Sequence, residues 1–121
     1  MRGATHVQDF VLFDVSWMLN QKVTTFDDDG NELPDDGEYQ RQGAETLYVF
    51  AEFLREKGLL CEGVDVSRRP DLAIRFSQLT EVGQRFSRAA MHKWISSLDR
   101  AGPKAKIDAS GLEKRWKKFN T

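Results

Sequence analysis

Apolar positions first recur in the run Phe10-Val11-Leu12-Phe13, Val15 and Trp17-Met18-Leu19. Phe10, Phe13 and Trp17 stand at helical spacing, as do Val11, Val15 and Met18, while Asp9, Asp14 and Asn20 fall off the face they make. The spacing predicts a helix with Thr5 as its N-cap, although the run is also rich in strand formers. Val23-Thr24-Thr25-Phe26 follows, then Asp27 to Pro34. Asp-Gly and Gly-Asn pairs there supply the positive-φ positions of a tight turn, so a short exposed β-hairpin is expected, with Pro34 keeping the return strand short. From Glu38 to Lys57 the period is helical: Leu47, Phe50, Ala51 and Leu54 share a face, and Gly58 stands where a C-cap belongs.

Residues 61–70 read as a connector, and Leu72, Ile74 and Phe76 alternate as in a strand. A second long helix spans Glu81 to Arg100, with Val82, Phe86, Ala89, Ala90, Trp94 and Leu98 inward; Gly102-Pro103 stops it. A last helix, Ser110 to Phe119, carries Leu112, Trp116 and Phe119 on one stripe, and Ser110 with Glu113 has the spacing of a capping box. The expected fold is mainly α with a minor β element, a compact single-domain helical fold over residues 1–121. Its core is expected to include Leu47, Phe50, Leu54, Phe86, Trp94 and Leu98. Trp17, Trp94 and Trp116 each sit on an apolar stripe, which predicts core packing, with Trp116 the first candidate for partial exposure.

Composition narrows the classes. With 121 residues and 40% apolar content, one domain with its own core is expected. A formal charge of −1 excludes the large basic excess of a histone-like or ribosomal chain. One cysteine, Cys61, allows neither an internal disulfide nor a cysteine-based zinc site, which fits a cytoplasmic chain. No apolar run reaches the ~18–20 residues of a membrane span, and Asp9 and Asp14 interrupt any signal-like core. The charge is unevenly spread: residues 1–60 hold five basic and twelve acidic residues, residues 61–121 thirteen basic and seven acidic. That asymmetry points to packing between the halves or to a surface that meets a charged partner.

Candidate chemistry is sparse. His6 and His92 are the only histidines, and Arg88 and Ser96 stand at the positions where a carboxylate would orient His92. No His-x-x-x-His, Gly-x-Ser-x-Gly or phosphate-cradling glycine loop occurs, and nothing beside Cys61 would activate a thiol. Glu45, Glu52 and Glu56 form an acid row on a helix; a catalytic pair is conceivable there, a solvated face the simpler reading. No catalytic residue, cofactor or metal is expected, and the chain reads as no enzyme.

The unusual segment is acidic: Asp27, Asp28, Asp29, Glu32, Asp35, Asp36 and Glu38 lie within twelve residues without a basic neighbour. Three readings stand. It is a solvated turn, a contact surface for a basic partner, or a calcium loop, since Asp27, Asp29, Asn31, Leu33, Asp35 and Glu38 take positions 1, 3, 5, 7, 9 and 12. Against calcium, the sixth position is Glu32 instead of glycine and the eighth is Pro34.

Two stretches resemble known families. A strand followed by Leu79-Thr80-x-x-Gly83 and a helix resembles the passage from wing to last helix in winged-helix regulators. Yet residues 44–54 are apolar and acidic where a recognition helix needs Arg, Lys, Asn or Gln, so nucleic acid is not an expected partner. Second, Leu47-Tyr48-Val49-Phe50-Ala51-Glu52-Phe53-Leu54, with Leu79-Thr80-x-x-Gly83-x-x-Phe86 running on to Lys93-Trp94 and Asp99-Arg100, resembles small bacterial proteins of the immunity type in toxin–immunity systems, over residues 8–100. That resemblance implies a cytoplasmic binding protein that neutralises a cognate toxin without chemistry of its own. A basic toxin would suit the acidic loop. The winged-helix regulator is the alternative.

Overall fold

The structure is a computed structural model that describes residues 9–22, 24–35, 37–101 and 106–120. Asp14 divides the first apolar run in two. Val11–Asp14 forms strand β1 and Val15–Leu19 the short helix α1. The Asp14 carboxylate accepts the N–H groups of Ser16 (2.9 Å) and Trp17 (3.4 Å) and the Ser16 hydroxyl (2.6 Å), so it caps α1. The single helix expected over this run is therefore replaced by strand plus helix, and Thr5 lies outside the described residues. The reason is a distant partner: β1 pairs antiparallel with β4, Ala73–Arg75, which local periodicity cannot reveal.

Thr25–Phe26 (β2) and Glu32–Leu33 (β3) form the expected hairpin, a second two-stranded sheet. Glu38–Glu56 is α2, and Gly58, at φ +68°, stands just past its end in the left-handed region. The connector from 61 to 72 leads into β4, Ala73–Arg75, and Leu72, Ile74 and Phe76 in and around it are buried in alternation as the sequence predicts. A 3₁₀ turn over Phe76–Gln78 feeds α3, Glu81–Ala101, and α4 spans Ser110–Phe119. The fold is mainly α with a minor β element.

The core lies where α2 meets α3. Phe50 stacks on Trp94 with centroids 6.0 Å apart, and Phe53 meets Phe86 at 5.6 Å. From α4, Leu112 is fully buried and Trp116 sets its edge against Phe86 at 5.2 Å. Leu54, Leu72 and Ile74 are fully buried as well, whereas Leu47 and Leu98, expected in the core, are only partly buried because they line a cleft. Val82 and Ala89, also expected inside, are exposed. Trp17 is 64% exposed, against the expectation that it packs inside, because α1 ends after one turn and leaves it on the outer side. The capping box of α4 is not formed. Asp108 takes the Ser110 N–H (3.0 Å) and hydroxyl (2.7 Å), while Glu113 turns to Lys57 at 2.9 Å.

The Leu79-Thr80-x-x-Gly83 signature has a packing role. The Thr80 hydroxyl accepts the Gly83 N–H (3.1 Å), and the Thr80 N–H donates to the Leu59 carbonyl (2.8 Å). A Cβ on Gly83 would lie 2.4 Å from that carbonyl oxygen, which belongs to backbone and cannot swing away. Gly83→Ala is therefore expected to destabilise by about 1–3 kcal/mol, although alanine favours a helix interior. Gly43→Ala is the control. Its Cβ would overlap the Met18 side chain from Cγ to Cε at 2.5–2.7 Å, so a side chain and not backbone has to move, and a urea titration should show a smaller loss of midpoint than for Gly83→Ala.

Asp9 fastens the small sheet. Its carboxylate accepts from Arg75 Nε (2.7 Å) and the Ser77 N–H (3.0 Å), which hold its pKa down at about 2 from an ordinary 3.8. A depressed carboxylate supports the fold above its unfolded pKa and stops doing so as pH falls through the folded one. Between pH 4 and pH 2 the wild type should thus lose melting temperature more steeply than Asp9→Asn. Parallel melting curves over that window would show the contact to be idle.

Candidate interaction site at the acidic arm

The hairpin and its flanks form an arm: the described residues from Thr24 to Asp35 are all exposed. Asp27 builds its tip. The carboxylate accepts from the Asn31 N–H (2.9 Å), the Asn31 amide (3.3 Å) and the Asp29 N–H (2.9 Å), which lowers its pKa, the Asn31 backbone bond most of all. Gly30, at φ +82°, supplies the left-handed step that returns the chain, and its N–H reaches the Asp27 carbonyl at 3.0 Å. Cross-strand pairing sets Phe26 beside Glu32 on one face and Thr25 beside Leu33 on the other. Phe26 and Leu33 are both exposed.

Gln40 fixes the root. It is buried on α2, and its Nε2 donates to the Gln21 carbonyl (2.7 Å) and to Asp35 (2.9 Å), tying both stems of the arm to the helix. Asp35 also accepts the Gly37 N–H at 2.9 Å, where Gly37 stands at φ +78°. Glu38 opens α2, favourably placed at its positive end, and pairs with Arg41 at 2.6 Å.

The seven carboxylates are thus not equivalent. Asp27 and Asp35 hold the arm's backbone, and Glu38 is paired. Asp28, Asp29 and Glu32 make no side-chain hydrogen bond or ion pair among the described residues and face water. Asp36 lies outside the described residues. A calcium loop needs carboxylates converging on one point, and no three His, Cys, Asp or Glu side chains do so among the described residues.

Sequence reasoning missed the aromatic surroundings. Trp17 on α1 and Tyr39, the second residue of α2, are exposed, and Tyr39 joins Met18, Gly43, Leu47, Leu98 and Ile107 around a cleft of about 360 Å³. It also missed the fate of the acid row. Glu45 and Glu52 both grip Arg68, at 2.6 Å from Nη1 and 2.8 Å from Nη2, and the guanidinium lies 5.4 Å from the Tyr48 ring centre. Arg68 keeps the Glu52 pKa below its ordinary value, so this carboxylate is held ionised, the wrong state for a general acid. The cluster pins the connector onto α2. Cys61 and His92 are exposed, and His6 lies outside the described residues.

The Leu79-Thr80-x-x-Gly83 segment also differs from a wing: β4 ahead of it pairs with β1 near the N-terminus, not with a strand next to it in sequence. No helix among the described residues is long and apolar enough to cross a membrane. Comparison with protein-family models, curated proteins and solved structures finds no match to this chain.

Proposed function

We propose that this chain is a non-enzymatic, cytoplasmic binding protein, an inhibitor of the immunity type, whose acidic arm engages a basic protein such as a cognate toxin. One observation carries the reading: an exposed hairpin, tied at its root by Gln40, holds Asp28, Asp29 and Glu32 free while presenting Phe26 beside Glu32 and Leu33 on the opposite face. Clustered charge speeds encounter with an opposite surface, and the apolar side chains supply anchors that charge alone does not. Carboxylates set along an arm also resemble the charge of a phosphate chain, the ligand a basic nuclease would expect.

The arm is unsuited to a stabilising role, because its carboxylates repel one another. Replacing Asp28 and Asp29 with Asn and Glu32 with Gln should leave the melting temperature equal or raise it. Co-expression with the product of the gene immediately upstream tests the function itself. The expected result is a complex that co-purifies with the wild type and weakens with the neutralised arm. A protein pair that never associates, or a complex indifferent to the arm, would contradict the proposal.

A further inference from the structure

Some of the basic residues are tied down by carboxylates and others are not. Arg41, Lys57, Arg68, Arg69 and Arg75 each pair with a carboxylate at 2.9 Å or less. Arg85, Arg88 and Lys93 on α3 and Arg115 on α4 form no ion pair among the described residues. Spacings of three and four put Arg85, Arg88 and His92 on one exposed face of α3, with Lys93 at its side and the small Ala89 among them. Two of these cations are held in place. The Arg88 guanidinium lies 4.9 Å from the Phe76 ring centre, and Arg115 Nη2 donates to the Lys93 carbonyl at 3.4 Å. That second contact brings α4's charge to the flank of α3.

On α3 and α4 themselves few carboxylates flank this patch. Glu81 precedes it by one helical turn, Asp99 lies beyond it toward the end of α3, and Glu113, the acidic residue of α4, is taken by Lys57. The chain's formal charge of −1 conceals the patch, since most acidic residues belong to the first sixty.

We infer that the Arg85–Arg88–Lys93–Arg115 surface binds the phosphodiester backbone of a nucleic acid without reading its sequence. Three of the four cations are arginines, whose planar fork matches phosphate oxygens two at a time. The amide nearest to this face, Gln84, is turned inward and donates to the Phe76 and Leu79 carbonyls at 3.2 and 3.3 Å, so it is not set to read base edges. The face also lacks the aromatic anchor that the centre of a protein interface requires, in contrast to the arm with Phe26 and Leu33. Ala89 leaves room for a polymer to lie close against the helix between the flanking charges. This inference stands on other residues than the acidic arm and does not depend on the function proposed for it.

Fluorescence anisotropy with a labelled 20-base-pair duplex of mixed sequence tests it, beside a single-stranded RNA of equal length and poly-L-glutamate. At 50 mM salt the wild type should bind the duplex or the RNA with a micromolar Kd, and a scrambled sequence should change it less than about threefold. Four phosphate contacts predict a log–log salt slope near −3 to −4, hence a loss on the order of 100-fold between 50 and 200 mM. Substituting Arg85, Arg88, Lys93 and Arg115 with Gln should weaken binding at least tenfold. Arg85→Gln with Lys93→Gln, both exposed and unpaired, provides a variant free of folding effects and should lower the slope by about two. Whichever nucleic acid binds more tightly identifies the backbone preferred. The inference falls if neither binds at 50 mM salt, if the variants bind as the wild type does, or if poly-L-glutamate binds as tightly, which would assign the surface to an acidic protein.

Discussion

Trp94→Ala will lower the unfolding free energy by about 3–5 kcal/mol, whereas Trp17→Ala will change it by no more than about 0.5 kcal/mol. The residue type is the same and the environments are opposite: Trp94 is 1% exposed and Trp17 64%. Trp94 stacks on Phe50, and a Cβ at Gly111 would come within 3.2 Å of its ring, so α4 closes tightly over it. Removing the indole leaves a cavity between three helices that such close packing cannot easily fill. A chain this long has a stability of about 6–18 kcal/mol in all. The loss should therefore lower the melting temperature by on the order of 10–20 °C. Thermal unfolding followed by circular dichroism checks both variants. Comparable losses at the two sites would show that α1 is packed more deeply than its exposure implies.

The two tryptophans also mark how far the sequence could be read. Helices α2, α3 and α4 repeat an apolar period over several turns, so their limits were legible to within a residue or two. Asp-Gly chemistry announced the hairpin, and the alternation of Leu72, Ile74 and Phe76 announced burial around β4. The first apolar run was not legible, because β1 exists through a partner some sixty residues away. Trp17 sits on a helical stripe, but a helix of one turn buries Val15 and leaves Trp17 outside.

At the arm, the acidic cluster was visible and its inner division was not. Which carboxylates are bound depends on the Asn31 backbone, Gln40 and Arg41, and this geometry is absent from a count of charges. The same holds for Glu45 and Glu52. Their common partner, Arg68, enters from a connector 23 and 16 residues away.

The larger functional effect belongs to Asp28, Asp29 and Glu32. If these free carboxylates guide a basic partner, converting them to Asn, Asn and Gln removes three charges without touching Asp27 and Asp35, which hold the arm's backbone. Exposed pairs contribute little affinity one at a time, but a clustered field raises the encounter rate by ten-fold to a thousand-fold at low ionic strength. Salt collapses that advantage as the screening length shrinks from about 30 Å at 0.01 M to about 3 Å at 1 M. Phe26→Ala should act differently, slowing encounter little and speeding dissociation, because an apolar anchor works only after contact.

The association rate of the wild type and of the Asp28→Asn, Asp29→Asn, Glu32→Gln variant with the basic partner, measured by stopped flow at 0.01 M and at 0.5 M salt, is the direct test. The variant is expected to be slower by at least tenfold at 0.01 M and within about twofold of wild type at 0.5 M. Equal rates at 0.01 M salt would contradict it and leave the arm as a turn in water.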